Sequence, residues 1–212
     1  GDAENDAFNR LVLTAGLAWR DVALLRAYAR YLKQIRLGFD LGYIANTLLN
    51  HPDIARELVR LFKTRFYLAR KLNADDLHDK QHKLEQAILG ALDNVAVLNE
   101  DRILRRYLDL IKATLRTNFY QPDASGENKG YFSFKFDPSA ITDLPRPVPK
   151  FEIFVYSPRV EGVHLRFGNV ARGGLRWSDR EEDFRTEVLG LVKAQQVKNA
   201  VIVPVGAKGG FV

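Results

Sequence analysis

Four consecutive features decide the fold class. They are Gly162-Val-His-Leu-Arg-Phe167, the glycine pair Gly173-Gly174, a helical run from Ser178 to about Asn199, and Val201-Ile-Val-Pro-Val205. Their order, strand, glycine turn, helix, strand, is that of an opening α/β layer domain. Ser178 and Glu181 have the spacing of a capping box, which predicts a helix start at Ser178. The apolar Val201–Val205 predicts a short strand ending in the glycine turn Gly206-Ala-Lys-Gly-Gly210. An α/β sheet needs further strands and crossovers to bury both faces, so the domain is expected to continue beyond Val212.

Working back along the chain, Phe151–Tyr156 is a second predicted strand. Leu144-Pro-Arg-Pro-Val-Pro149 is an extended linker, because each Pro disfavours helix at the residue before it. Tyr131-Phe-Ser-Phe-Lys-Phe136 alternates with period two, as a half-buried strand does. Gln121–Gly130 is a polar loop rich in turn formers. Before about residue 118 the texture is helical. Val22, Leu25, Ala29, Leu32 and Ile35 form one apolar stripe over Asp21–Leu37, and Gly38 and Gly42 then punctuate the chain. His51-Pro52-Asp53 opens a helix expected to run to Leu72, and Asp75–Leu92 and Glu100–Leu115 have the same periodicity. The expected division is an all-helical region 1–117, a loop, strand and linker over 118–150, and the opening of an α/β domain over 151–212.

The chain has 212 residues, 46% of them hydrophobic and 27% charged, the balance of a globular chain with a real core. No apolar run has the roughly 18 to 20 residues of a membrane-spanning helix, so no membrane partner is expected. The opening GDAENDAF has neither a signal peptide's pattern nor an initiator Met, and does not read as a native start. There is no Cys, which excludes disulfides and thiolate metal sites and fits a cytoplasmic setting. The net charge of +6 is scattered among acidic residues rather than gathered into a basic run, so nucleic acid is not expected as a partner.

The chemistry gathers near the C-terminus. Ala171-Arg-Gly-Gly-Leu-Arg176, Lys198-Asn-Ala200 and Pro204-Val-Gly-Ala-Lys208-Gly-Gly210 set cations beside glycines. Glycine lets a ligand approach the backbone and the chain turn tightly. Arg172, Arg176, Lys198 and Lys208 could converge at strand ends and a helix end, a set suited to a dicarboxylate. A lysine crowded by other cations and partly desolvated becomes a proton-transfer group near neutral pH.

These three motifs, in this order and at about this spacing, resemble those of glutamate dehydrogenases. The fuller string from Arg172-Gly-Gly-Leu-Arg-Trp-Ser-Asp179 to Lys208-Gly-Gly-Phe-Val212 resembles the large bacterial NAD-dependent class. The specific likeness covers roughly residues 160–212. The resemblance implies that 151–212 opens the mixed-sheet, α/β substrate-binding domain of a dehydrogenase. It implies oxidative deamination of L-glutamate to 2-oxoglutarate and ammonia, with NAD as cofactor and a homo-oligomer as the full-length enzyme. Lys208 matches the catalytic lysine that activates water for attack on the imine. Lys198 matches the lysine that holds the α-carboxylate. Arg172 stands where small members of the family carry a lysine for the side-chain carboxylate, with Gly173, Gly174 and Arg176 completing the motif. The glycine loop before Lys208 is one glycine shorter than the family's. The catalytic aspartate and the nucleotide-binding domain are expected beyond residue 212, so this chain alone is expected to be inactive.

Other features read more plainly. No G-x-G-x-x-G occurs, and Gly206-Ala-Lys208 lacks the Ser or Thr of a phosphate loop. His78 and His82 stand at i, i+4 but lie in an exposed polar run, and no metal is expected. Trp19 and Trp177 are expected to be core or packing residues. Asp179, Glu181, Glu182 and Asp183 suit a first helical turn and its dipole. The helices before 118 carry no catalytic motif, which leaves a second reading of that region as an interaction or assembly module of a larger enzyme.

Overall fold

The computed structural model describes residues 4–67, 72–168, 173–198 and 206–212, with 195–198 described by backbone alone. The chain divides into two compact units, Glu4–Arg30 with Phe39–Lys112, and Tyr31–Gly38 with Ala113–Val212.

The first unit is helical. Its elements are α1 (Leu11–Thr14), α2 (Trp19–Gln34), α3 (Leu41–Asn50), α4 (Pro52–Phe66), α5 (Ala74–Leu92) and α6 (Leu98–Ala113), the last turn of α2 belonging to the second unit. Starts follow from local chemistry. The Asp40 carboxylate accepts from the Tyr43 N–H, Asn73 accepts from the Asp76 N–H, and Pro52 stands in the first turn of α4. The punctuation expected at Gly42 is not there, because the Asp40 cap starts α3 and Gly42 sits inside its first turn. α4 ends at Phe66, and the part of its expected extension at 68–71 lies outside the described residues. The core is aromatic. Tyr28 meets Phe62 and Tyr107 edge-on at 6.2 and 6.5 Å, and the buried Tyr107 hydroxyl donates to the Leu25 carbonyl at 2.8 Å.

Among the described residues the second unit is built on a six-stranded mixed sheet, in the order β1 (Thr114–Thr117), β2 (Phe132–Phe136), β3 (Phe151–Tyr156), β4 (Glu161–Arg166), β6 (Ala207–Phe211) and β5 (Leu175–Trp177). All neighbours are antiparallel except β5 and β6, which run parallel. Helix α7 (Phe184–Lys198) joins these two, so β5–α7–β6 is a βαβ unit. Period-two alternation and the registers put Phe134, Phe136, Phe154, Val163 and Leu165 on the face packed by α7, and all five are buried.

Four expectations are corrected here. Thr114–Thr117 is a strand rather than the tail of a helix, since its threonines pair with the Phe-rich β2. Helix α7 begins at Phe184, not Ser178, because Ser178 still extends β5 and donates its N–H to the Phe211 carbonyl at 2.7 Å. The turn expected at Gly206–Gly210 is largely strand β6, paired on both sides. Trp19 and Trp177 are each 69% exposed and so not core, Trp19 at the first residue of α2 and Trp177 on an edge strand on the face opposite α7, where it stacks on Phe211 at 6.5 Å as a packing residue. The expected strand Val201–Val205 lies outside the described residues. Among the described residues no helix is long and apolar enough to cross a membrane.

Candidate functional site

The parallel pairing of β5 and β6 assembles the site. Leu175 stands opposite Gly209, Arg176 opposite Gly210 and Trp177 opposite Phe211. Close approach explains the glycines. A Cβ on Gly173 would land on the Ala207 carbonyl, one on Gly209 would lie 2.5 Å from Leu175 Cδ2, and one on Gly210 would lie 2.8 Å from Val188 Cγ2 of α7. Glycines at these places let a strand, an edge strand and a helix close on one another. The Gly209 N–H also donates to the Gly174 carbonyl at 3.2 Å.

Alternation then sorts the side chains. Gly210 faces α7, so Lys208, two residues earlier, belongs to the same face, as does Arg176 opposite Gly210. Strand spacing and rise place the Cα atoms of Arg176 and Lys208 about 8 Å apart. Lys208 is half-buried and makes no ion pair among the described residues. Arg176, also half exposed, lies 3.0 Å from a Glu187 carboxylate oxygen in the first turn of α7.

Of the residues singled out from the sequence, Gly173, Gly174, Arg176 and Lys208 therefore come together. Lys198 is the last residue of α7, and its side chain lies outside the described set. Arg172 lies outside the described residues altogether. The carboxylates of the Asp179–Asp183 segment precede α7 instead of forming its first turn. Asp183 is gripped by Arg180 at 2.9 and 2.5 Å, and that pairing holds its carboxyl below the usual range. His78 and His82 stack at 6.5 Å, and no group of three possible metal ligands occurs among the described residues.

Sequence reasoning missed the supports of the site. Glu187 also accepts a 2.5 Å hydrogen bond from Ser178 Oγ. Fully buried Glu152 on β3 takes a two-pronged bond from Arg185 of α7, at 2.6 and 2.7 Å. Burial opposes the Arg185 charge, but Glu152 outweighs it and holds the guanidinium above its usual range. Burial first, and then Glu152, raise the nearby Tyr31 hydroxyl well above its ordinary pKa. Gln34 of α2 accepts from the Arg185 N–H at 3.2 Å and donates to the Glu181 carbonyl at 2.9 Å, tying down the start of α7. On the opposite face of the sheet His164 is paired with Gly209, and burial, then Arg166, push its pKa down. None of these supports has a fixed local spacing in the sequence, since each joins residues of different elements.

The sequence pattern described as bacterial NAD-glutamate dehydrogenase, catalytic domain, matches residues 87–212, and that described as glutamate dehydrogenase, helical motif 3, matches 3–68. The chain belongs to the bacterial NAD-glutamate dehydrogenase family. It is 89% identical over its whole length to the NAD-specific glutamate dehydrogenase of Pseudomonas aeruginosa. It is 65% and 53% identical, again over its whole length, to the proteins of that name from Halomonas elongata and Mycobacterium tuberculosis. It spans 13% of the length of each of these relatives. Arg176 and Lys208, which β5 and β6 bring to one face, lie within the matched residues 87–212.

Proposed function

We propose that this chain supplies the dicarboxylate-gripping part of an NAD-dependent glutamate dehydrogenase, which converts L-glutamate to 2-oxoglutarate and ammonia. The observation that carries the reading is the placement of Arg176 and Lys208 on one face of the paired strands β5 and β6. Cations held on rigid strands suit carboxylates, and Gly174, with nothing within 4 Å of its Cβ position, leaves the backbone open to close approach. In this reading Lys198 takes the α-carboxylate, and Arg172 with Arg176 takes the side-chain carboxylate. Lys208 stands between them as the proton-transfer group that activates water for attack on the imine. Gly174 lets the substrate approach the backbone, and Gly173 lets the chain before β5 close on Ala207.

The described residues do not form a dinucleotide cradle. The start of α7 is occupied by Gln34 and lies beside Glu181, Glu182 and Asp183, which repel a pyrophosphate. Residues elsewhere in the enzyme would hold NAD, which would supply the acceptor for the hydride leaving the glutamate Cα. The catalytic aspartate belongs to that same remainder. Homo-oligomeric assembly and a cytoplasmic setting are part of the same proposal.

The test is NAD reduction by L-glutamate in an enzyme of the relatives' length carrying this segment. Lys208→Ala is expected to lower kcat at least about a thousandfold, and Lys198→Ala to act mainly on KM. Unchanged turnover in Lys208→Ala would remove the assignment.

A second reading concerns the helical unit, where Leu13 and Leu98 are 88% and 79% exposed. Large apolar side chains at the surface suit a contact with another part of the enzyme or another subunit, an assembly role distinct from catalysis.

A further inference from the structure

We propose that Glu187 is a positioning residue, which fixes the Arg176 guanidinium for a substrate carboxylate. The inference rests on the reading of the site as a dicarboxylate grip. The Glu187 side chain is only 15% exposed, and both of its oxygens are engaged, one 3.0 Å from Arg176 Nη2 and the other accepting from Ser178 Oγ at 2.5 Å. Ser178 is itself held. Its Oγ accepts from the Arg180 N–H at 3.1 Å, and its own N–H donates to the Phe211 carbonyl of β6 at 2.7 Å. With a lone pair committed to Arg180, the hydroxyl proton points at Glu187, so the carboxylate is clamped between the end of β5 and the first turn of α7.

This clamp acts on Arg176 in a particular way. The ion pair takes up one end of a guanidinium that has five donors, and the half-exposed remainder stays available on the face it shares with Lys208. A long, solvated arginine loses rotamer freedom each time it binds an anion. One already held by Glu187 has lost that freedom before substrate arrives, which strengthens binding. Glu187 touches no substrate in this arrangement. Its effect passes through Arg176.

The experiment is a mutant cycle on glutamate-dependent NAD reduction by the enzyme of the relatives' length, with thermal melting of every variant. Glu187→Gln keeps the shape but removes the charge, and is expected to raise KM for glutamate about tenfold with kcat within about twofold. In an Arg176→Ala background the same substitution should leave KM unchanged, because the residue through which it acts is gone. Ser178→Ala, which leaves the Glu187 charge but frees one oxygen, should raise KM about threefold, again only when Arg176 is present. It carries the comparison should Glu187→Gln fail to fold. Equal effects in both backgrounds, or a lower melting temperature with unchanged KM, overturn the positioning role and leave the dehydrogenase reading intact. An unsubstituted enzyme that does not reduce NAD with glutamate overturns both.

Discussion

Glu152 and Arg185 are 0% and 1% exposed, and each is tolerable only because the other is present. Glu152→Gln leaves a guanidinium buried without its counter-charge, and is expected to cost about 3 to 5 kcal/mol in urea unfolding. Replacing both by Leu should cost much less, because no charge is then stranded. His164 sets a second expectation. Burial, then Arg166, depress its folded pKa, so below the ordinary imidazole range the unfolded chain binds the extra proton more readily. Stability should therefore fall as pH drops below about 6.5, levelling once the folded state also protonates, and His164→Gln should flatten that part of the profile. Lys208 was legible in the sequence because its glycine neighbours mark it. Glu152 was not, since a carboxylate in a strand reads as an outward-facing residue until a buried arginine is found opposite it.

At the scale of elements, glycine decides what can pair. Gly210→Ala would drive a methyl to 2.8 Å from Val188 Cγ2, an overpacking worth about 1 to 3 kcal/mol in thermal or urea unfolding. Val188→Ala in the same chain should recover part of that loss. Gly173→Ala should be worse, because its methyl meets the Ala207 backbone carbonyl, which cannot turn aside as a side chain can. The periodic helices α2, α5 and α6 were readable to within a few residues, since a 3.6-residue apolar stripe is a local signal. The short β5 was not. Its three residues, Leu175, Arg176 and Trp177, are all exposed and carry no alternation, and they form a strand only because β6 lies beside them.

For the whole molecule, the helical unit invites a test of assembly. Leu13→Lys and Leu98→Lys in the enzyme of the relatives' length should reduce its oligomeric mass in light scattering without lowering kcat per folded site. Unchanged mass would argue that these side chains meet no other subunit. The sequence by itself determined the element types of the long periodic segments, the helical-then-mixed-sheet order and the family, all of which follow from residue patterns close together in the chain. Only the tertiary structure decided that β5 runs parallel beside β6, that Arg176 and Lys208 share a face, and that α7 is anchored by Gln34, 151 residues from its partner Arg185. The reason is physical. Periodicity and propensity act over a few residues, whereas strand order and buried ion pairs depend on which distant surfaces exclude water together.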